Sequence, residues 1–286
     1  MRRLSFLLFG LALFGGLNAP AFGQAKKEEF KVPPRIAAPP APCFKHLDGQ
    51  MLVFVANGVG GSTTVSDNLL NLNSEKQLGL RIQMVPWCRH NSLLQDLIDH
   101  EAQLNAAARI ACSVSAIRRG APNAHIYFVG HSAGARVVLA AAEMLPPHSV
   151  DRIILLASAV SCSYDLTSAL RTSRGGIDHF WSSEDGVLDH ERAHDSTADG
   201  QKTPAAGRVG FHLVSADKKD IAAYCNLRQH RWNEEFCGSG GHFAWTIRHN
   251  MKKVIVPLFF TEPAPPPAAT IYGASGCVHA TSTSPF

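Results

Sequence analysis

The sequence predicts an α/β fold built on an open, doubly wound and mostly parallel sheet. Three observations support this prediction. Predicted strands and helices alternate along most of the chain. The strand cores are continuous apolar runs, which is typical of strands that helices cover on both faces. Finally, a glycine-flanked serine at 130–134 lies between one apolar strand and the helix that follows it.

The first half of the domain contains three predicted strands and one long helix. Apolar runs at 50–58, 80–87 and 125–130 each predict a strand. The segment 92–119 predicts a single helix, because apolar residues recur there at helical spacing: Leu97, Leu104, Ala107, Ala111 and Val114. A glycine and a proline follow this segment and end the helix.

The second half continues the alternation. A nearly all-apolar helix is predicted at 135–145, directly after the serine. Three further strands are predicted at 151–158, 176–182 and 208–215. A last helix is predicted to begin at Phe243. Ligand sites of such sheets lie at the carboxyl ends of the strands, and the polar residues of interest fall there.

The ends of the chain are predicted to lie outside this domain. Residues 1–23 combine two arginines, an apolar run and small residues, which is typical of a secretory signal peptide. The run at 4–17 has 14 residues and is short for a bilayer span, so an uncleaved anchor is the lesser alternative. Proline-rich segments are predicted at 24–47 and 261–286, on either side of a domain at 48–260.

Composition excludes some classes of protein. The chain is 45% hydrophobic and 17% charged, which is ordinary for a globular protein. Its net charge of +4 is scattered, and removing the leader lowers it to about +2, too weak for a nucleic-acid partner. After the leader, no apolar run is long enough to predict a stable membrane span. Export permits disulfides, and among the seven cysteines the preferred pair is Cys225 with Cys237.

The segment Gly130-His131-Ser132-Ala133-Gly134 matches the pattern G-x-S-x-G. A sharp turn from strand to helix strains the backbone at the serine and lifts its hydroxyl above the sheet edge. The first turn of the helix then directs N–H groups at the same point, where they favour negative charge. Ser132 is therefore the candidate nucleophile; a plain turn of small residues is the alternative.

With the polar residues that follow it, this segment resembles the α/β-hydrolase family, specifically its cap-poor serine esterases and lipases. The resemblance covers residues 48–255. It implies a serine, an acid and a histidine in that chain order, with a small-molecule acyl substrate and neither a metal nor an organic cofactor.

The resemblance implies that the acid lies in the loop after the strand two beyond the serine strand. Asp185 in "HFWSSEDGVLD" occupies this place. Asp165, after the preceding strand, is the second candidate, and Glu184 and Asp189 are weaker ones. The acid orients the histidine and stabilises its charged form.

The resemblance also selects the base. His242 in "GSGGHFAW" follows three glycines and a serine, in a loop that can bend tightly enough to reach both Ser132 and the acid. His249 is the alternative, although it falls inside a predicted helix. His131 is expected to shape the turn, with its ring directed away from the attack line of the serine.

An oxyanion hole is expected from backbone N–H groups. The resemblance assigns one donor to Ala133 and the other to the loop after the first strand, at Val59 with Gly58 next. Members of the family often carry His-Gly in that loop, whereas this chain has Asn57 before Gly58. Because the donor is a backbone N–H, the asparagine in place of histidine does not exclude this role. The alternative interpretation is that the loop is a plain glycine turn without a role in binding.

A second motif competes with this assignment. Residues 190–194, "HERAH", match H-E-x-x-H, in which His190 and His194 would bind zinc and Glu191 would act as base. The segment is short and polar, whereas the zinc motif lies in an amphipathic core helix. The extended motif would also need glycine and histidine where Thr197 and Gly200 stand. A solvated helix is the preferred interpretation.

The sequence therefore predicts an exported serine hydrolase that cleaves carboxylic esters. A peptidase, an amidase, an acyltransferase or a non-catalytic binding protein remain alternatives on the same fold. Only the short segment 159–175 separates two strands where the family often inserts a cap, so an open site is expected. Four aromatic residues are candidates for an apolar acyl wall or for core packing: Trp181, Trp232, Phe243 and Trp245. The oligomeric state is left open.

Overall fold

The computed structural model describes residues 44–90, 92–189, 196–214 and 218–261. Within them, six strands form one sheet in the order β2-β1-β3-β4-β5-β6, and every neighbouring pair is parallel. The strands are β1 Met51–Ala56, β2 Leu80–Met84, β3 His125–His131, β4 Arg152–Leu156, β5 Ile177–Trp181 and β6 Leu227–Arg231. The predicted open parallel sheet is confirmed.

Helices join the strands. They are α1 Thr64–Lys76, α2 Leu93–Ile98, α3 His100–Gly120, α4 Gly134–Glu143, α5 Thr167–Thr172, α6 Ala206–Val209, α7 Lys218–Tyr224 and α8 Arg248–Asn250. A 3-10 turn, Ala244–Thr246, precedes α8, and a π-helical turn, Met251–Ile255, and a 3-10 turn, Val256–Phe259, follow it.

Each face of the sheet carries its own apolar core. On one face, Phe54 and Phe128 meet edge to face at 5.9 Å, under the apolar residues of α3 and α4. On the other face, Val53 and Val55 pack with α1 and the C-terminal turns. Successive residues of a strand point to opposite faces, so a strand covered on both faces is apolar throughout. Each fully buried side chain such as Val138 contributes about 1.5–3 kcal/mol to this core.

The predicted strand at 208–215 is wrong. Its first residues belong to α6, residues 210–214 have no regular structure, and the sixth strand is Leu227–Arg231. The side chain of Gln229 explains the difference, because it accepts a hydrogen bond from the N–H of Phe211 at 2.6 Å and donates one to its carbonyl oxygen at 3.0 Å. Both backbone groups that a strand at Phe211 would offer to a neighbour are thereby satisfied.

The helices also differ from the prediction. The single helix predicted at 92–119 is divided at Asp99, whose backbone leaves the helical region (φ −77°, ψ 72°) and whose carboxylate accepts from the N–H of Ala102 at 2.9 Å. This is an N-cap, so α3 begins anew after it. Helix α1 was not predicted. The last helix begins at Ala244, one residue after Phe243, and is a series of short turns.

The predicted disulfide between Cys225 and Cys237 is wrong. Cys237 carries a free thiol, and its N–H donates to Asn250 Oδ1 at 2.9 Å, beyond the end of β6. Cys225 precedes β6, and its Sγ–H donates to the carbonyl oxygen of Ile221 at 3.8 Å.

The interval between β4 and β5 holds only α5, a helix of 6 residues, so no cap domain is inserted there, as predicted. Along the part of the chain that the structure describes, none of the helices has the length and apolar character needed to cross a membrane.

Candidate active site

Ser132 lies at the carboxyl end of β3, immediately before α4. Its backbone adopts the left-handed conformation (φ 53°), which costs a non-glycine residue energy. Three hydrogen bonds hold it there. The N–H of Ser132 donates to the carbonyl oxygen of Leu156 at 3.0 Å, and its own carbonyl oxygen accepts from the N–H groups of Ala135 and Ala159 at 3.1 and 3.0 Å. The strained turn expected from the sequence is thus built by neighbouring strands.

Gly134 allows α4 to start this close to the sheet. A Cβ atom at Gly134 would lie 2.1 Å from the carbonyl oxygen of Ala56, so no side chain fits. The N–H of Ala133, at the N-cap of α4, has no backbone acceptor among the described residues. It is therefore available as a hydrogen-bond donor beside Ser132.

The structure joins Asp185 to His242. Nδ1–H of His242 donates to Oδ2 of Asp185 at 2.7 Å, and both side chains are buried (6% and 1% exposed). The other oxygen, Oδ1, accepts from the N–H groups of Val187 and Leu188 at 3.0 and 3.1 Å. The carboxylate is fixed by its own loop, and the bond to Nδ1 leaves Nε2 of His242 to act as a base.

The loop that carries His242 packs against the serine turn. The rings of His131 and His242 lie 5.0 Å apart, and Nε2 of His131 lies 3.5 Å from the carbonyl oxygen of His242. The exposed ring of Phe243 closes this stack, 5.5 Å from His131. Burial, together with the neighbouring His242, lowers the pKa of His131 to about 3, so His131 is neutral at physiological pH.

The loop after β1, residues 57–61, reaches the serine; we call it the oxyanion loop. A Cβ atom at Gly58 would lie 3.2 Å from Cβ of Ser132, so the backbone touches the turn directly. Asn57, the departure from the family pattern, is buried. Its amide donates to Oγ of Ser66 at 3.0 Å and accepts from the Ser66 N–H at 3.2 Å, which ties the loop to α1.

The weaker candidates lie elsewhere or have other partners. Oδ1 of Asp165 accepts from the N–H of Thr167 at 2.9 Å, at the start of α5, and from the hydroxyl of Tyr224 at 3.4 Å. Asp189 forms an ion pair with Arg208 at 3.3 Å. Glu184 accepts from the hydroxyl of its neighbour Ser183. His249 lies in α8, beyond the histidine loop.

Sequence reasoning missed two residues that hold the loops of the site. Arg208 in α6 donates to the carbonyl oxygen of Asp185 at 2.8 Å, so it fastens the acid loop. Asp96 in α2 is buried and accepts from the N–H of Gly60 in the oxyanion loop at 3.0 Å. Neither lies in a motif. The only signal for Asp96 is a charged residue on the buried side of a predicted helix.

The candidate aromatic wall divides into two parts. Trp245 is 1% exposed and packs against Phe180 at 5.0 Å, so it belongs to the core. Phe243, in contrast, is 50% exposed and lies beside the ring of His242 at 5.3 Å. Trp181 carries the guanidinium of Arg231 over its ring at 5.3 Å. Trp232 is partly buried and packs against the core on the α1 face of the sheet, so among the four candidates Phe243 is the exposed ring beside His242.

The competing zinc motif, residues 190–194, lies outside the described residues. Among the residues that are described, no three histidine, cysteine, aspartate or glutamate side chains form a group able to hold a metal ion.

A sequence profile described as "alpha/beta hydrolase fold" matches residues 74–200, which include β3, Ser132 and Asp185. The chain has the α/β-hydrolase fold. A comparison with curated protein sequences gave no match.

Several solved structures are similar to the chain at low identity. Lipase B of Aspergillus fumigatus is 15% identical, with a TM-score of 0.47, over 79% of this chain and 56% of that one. An uncharacterized protein of Bacillus cereus is 9% identical, with a TM-score of 0.45, over 73% and 59%. An α/β serine hydrolase without lid from Xanthomonas campestris is 14% identical, with a TM-score of 0.40, over 77% and 86%. The chain spans less than two thirds of the first two.

Proposed function

We propose that this hydrolase-fold chain is an exported serine esterase that uses Ser132, His242 and Asp185. The observation that carries the proposal is the buried 2.7 Å hydrogen bond from His242 to Asp185, next to a serine in a left-handed turn. An activated serine needs a base within reach and an acid that orients the base. Backbone strain at a residue that does not contribute to an apolar core is itself typical of active sites.

Acylation begins when Oγ of Ser132 attacks the carbonyl carbon of the ester. The Oγ proton passes to Nε2 of His242 as the new carbon–oxygen bond forms. The resulting imidazolium is stabilised by the carboxylate of Asp185, which stays ionised and keeps Nδ1 as the donor. His242 then gives the proton to the leaving alcohol oxygen, the ester bond breaks, and an acyl-serine remains.

The negative oxygen of each tetrahedral intermediate is held by backbone donors. The N–H of Ala133, which has no acceptor among the described residues, is one of them, and Val59 or Gly58 provides the other. Water then attacks the acyl-serine while His242 takes its proton, and collapse of the second intermediate returns the proton to Oγ and releases the acid. Removing one such donor typically costs about 10²–10³ in kcat.

Exposed apolar side chains favour a small-molecule ester with an apolar acyl group. Phe243 follows His242 in the chain, and Val187 lies two residues after Asp185; they are 50% and 58% exposed. Apolar side chains left open beside a catalytic pair are typical of a binding surface. Export rests on residues 1–23 alone, and N-terminal sequencing of secreted material tests it; we expect the chain to begin at Gln24.

The deciding experiment is labelling with a fluorophosphonate probe, followed by peptide mapping. We expect one label, on Ser132, that chelators do not affect and that Ser132→Ala abolishes. Ser158→Ala is the matched control, because Ser158 is also buried at the carboxyl end of a strand and its Oγ has no partner. This control should keep full labelling and thermal stability.

Other outcomes would redirect the proposal. A folded chain that takes up no label would make a non-catalytic binding protein the better interpretation. Activity lost to chelators would favour the zinc site at 190–194. For a labelled enzyme, comparison of matched ester and amide substrates separates an esterase from a peptidase or amidase, and added alcohols reveal acyl transfer.

A further inference from the structure

A second loop supports the oxyanion loop through hydrogen bonds. Residues 85–90, which we call the anchoring loop, follow β2, and two of their side chains donate to carbonyl oxygens of the oxyanion loop. The indole N–H of Trp87 donates to the carbonyl oxygen of Asn57 at 2.9 Å. The thiol of Cys88 donates to the carbonyl oxygen of Gly58 at 3.6 Å. The carbonyl oxygens of Asn57 and Gly58 therefore both point towards the anchoring loop, which holds these two successive peptide groups.

These contacts determine where the neighbouring N–H groups point. In a trans peptide the C=O and the following N–H point in opposite directions. When the carbonyl groups of Asn57 and Gly58 face Trp87 and Cys88, the N–H groups of Gly58 and Val59 face away from them. These two N–H groups are the candidate oxyanion donors.

Asp96 fastens both loops to each other. It lies in α2, is fully buried, and uses its two oxygens on different loops. Oδ2 accepts from the N–H of Gly60 in the oxyanion loop at 3.0 Å. Oδ1 accepts from the N–H groups of Arg89 and His90 at 3.1 and 3.0 Å. One carboxylate thus fixes the position of the anchoring loop relative to the donors.

We propose that Asp96 is a positioning residue for the oxyanion hole, acting through Gly60 and the anchoring loop on the N–H groups of Gly58 and Val59. The inference rests on the proposed function, since it concerns how that same site binds the charged intermediate. Preorganised donors stabilise an oxyanion because they need no reorientation during the reaction. Donors on a loop keep this property only if their supports hold them within about 0.5 Å.

The charge of Asp96 suits this role. Burial works to raise the pKa of Asp96, but hydrogen bonds from the N–H groups of Gly60, His90 and Arg89 outweigh it, so the pKa lies below its usual value. The carboxylate stays ionised, and bonds from N–H groups to a charged acceptor are the stronger kind. An amide in its place would direct an NH₂ group at one of these N–H donors.

The test compares hydrolysis of an ester with hydrolysis of its thionoester. Sulfur accepts hydrogen bonds poorly, so a thionoester gains less from a well-placed oxyanion hole, and the ester/thionoester ratio of kcat/KM reports the hole itself. We expect Asp96→Asn to lower kcat on the ester by about 10- to 100-fold with little change in KM, and to lower the ratio.

Asp151→Asn is the matched control. Asp151 is partly buried, and its Oδ2 accepts from the N–H of Ile126 at 2.6 Å and from Arg118 at 2.9 Å, before β4 at the amino end of the sheet. Loss of its charge should lower thermal stability and leave the ester/thionoester ratio at the wild-type value. The control separates loss of stability from loss of donor placement.

Trp87→Phe is a second variant in case Asp96→Asn does not fold. It removes the N–H that anchors Asn57 and keeps an apolar ring, so it should also lower the ratio. A wild-type ratio in folded, active Asp96→Asn overturns the inference and leaves the proposed function intact. A folded wild-type chain with neither ester hydrolysis nor label on Ser132 overturns both.

Discussion

Two aspartate–histidine pairs lie in neighbouring parts of this molecule, and only one of them adjoins the turn of Ser132. His242 donates to Asp185 at 2.7 Å, beyond the carboxyl end of β5. His230 bonds to Asp178 at 2.9 Å, between β6 and the interior of β5. Residue types and distances are nearly the same, so the surroundings of each carboxylate must distinguish them.

The partners of the two carboxylates differ. Asp178 also accepts from Arg152 at 3.0 Å and from Arg228 at 2.8 Å. Burial works to raise the pKa of Asp178, but hydrogen bonds from Arg228 and His230 outweigh it and hold the pKa well below its usual range. Asp185 has backbone donors and a single imidazole as side-chain partner.

This comparison separates the acid of the proposed catalytic site from an acid that serves stability. Two guanidinium groups already balance the Asp178 charge, so a proton gained by His230 adds little. Asp185 has one imidazole as its side-chain partner, beside the turn of Ser132, so among the described residues its carboxylate is free of competing cationic side chains. Asp178 sits among strand residues and serves stability, whereas Asp185 sits at the sheet edge where substrates bind.

The largest difference is expected from Asp185→Asn. Loss of the charge removes the stabilisation of the imidazolium and favours the wrong tautomer, so kcat should fall about 10⁴-fold with the fold intact. Ester hydrolysis and circular dichroism measure the two effects. Asp165→Asn is the control and should keep nearly full activity; the reverse result would make Asp165 the acid.

Asp178→Asn should give the opposite result. Arg152 is 4% exposed, and it would lose its charged partner inside the protein. Breaking a buried pair in this way costs about 3–5 kcal/mol of unfolding free energy. Urea unfolding measures this loss, while kcat of the folded fraction should stay close to wild type. Unchanged stability with a lost kcat would mean that the Asp178 pair, and not the Asp185 pair, belongs to the catalytic site.

A smaller effect is expected from pH, and it concerns His179 on the strand that carries Asp178. Burial lowers the pKa of His179 to about 3, although a hydrogen bond with Gln229 opposes this. Since the unfolded residue has a pKa near 6.5, the unfolded chain takes up the proton first, and stability is lost as pH falls from about 6.5 towards 3. Between pH 7 and 5 the loss should be about 2 kcal/mol for this residue.

His179→Asn tests this value, because an amide can replace the Nδ1 contact but does not titrate in this range. Unfolding in urea at pH 7 and pH 5 should show a pH-dependent loss that is smaller by about 2 kcal/mol in the variant. His131, whose pKa is lowered in the same way, should account for a similar part of the remaining loss. An identical pH dependence in variant and wild type would contradict the assignment of His179.

Local sequence was enough to predict the turn at Ser132 and the parallel sheet around it. The G-x-S-x-G pattern constrains a few successive residues, and Gly130 is required by the helix that follows, since a Cβ atom there would lie 2.7 Å from atoms of Ala135 and Val138. The buried strands were predictable because helices on both faces demand continuous apolar runs. The choice of Asp185 and His242 depended on the family order, and the structure brings these two side chains together.

The sixth strand was not predictable in this way. Its residues, Leu227–Arg231, are mostly polar because Arg228 and His230 face the buried Asp178, so the strand lacks an apolar pattern. The apolar pattern predicted the strand at 208–215, yet Leu213 and Val214 are 45% and 46% exposed. Burial of a charge by partners on the next strand is a tertiary effect that hydrophobic patterns do not register.

The sequence by itself therefore determined the turn at Ser132 and the class of fold, because these depend on short segments and on periodicity, whereas the proposed order of serine, acid and histidine came from the family resemblance. Tertiary structure alone decided which carboxylate is left with a single imidazole, which loops Asp96 and Arg208 hold, and which residues form the last strand. Those features depend on groups far apart in the chain, such as Gly60 and Asp96 or Asp185 and Arg208, whose contacts form only when the sheet assembles.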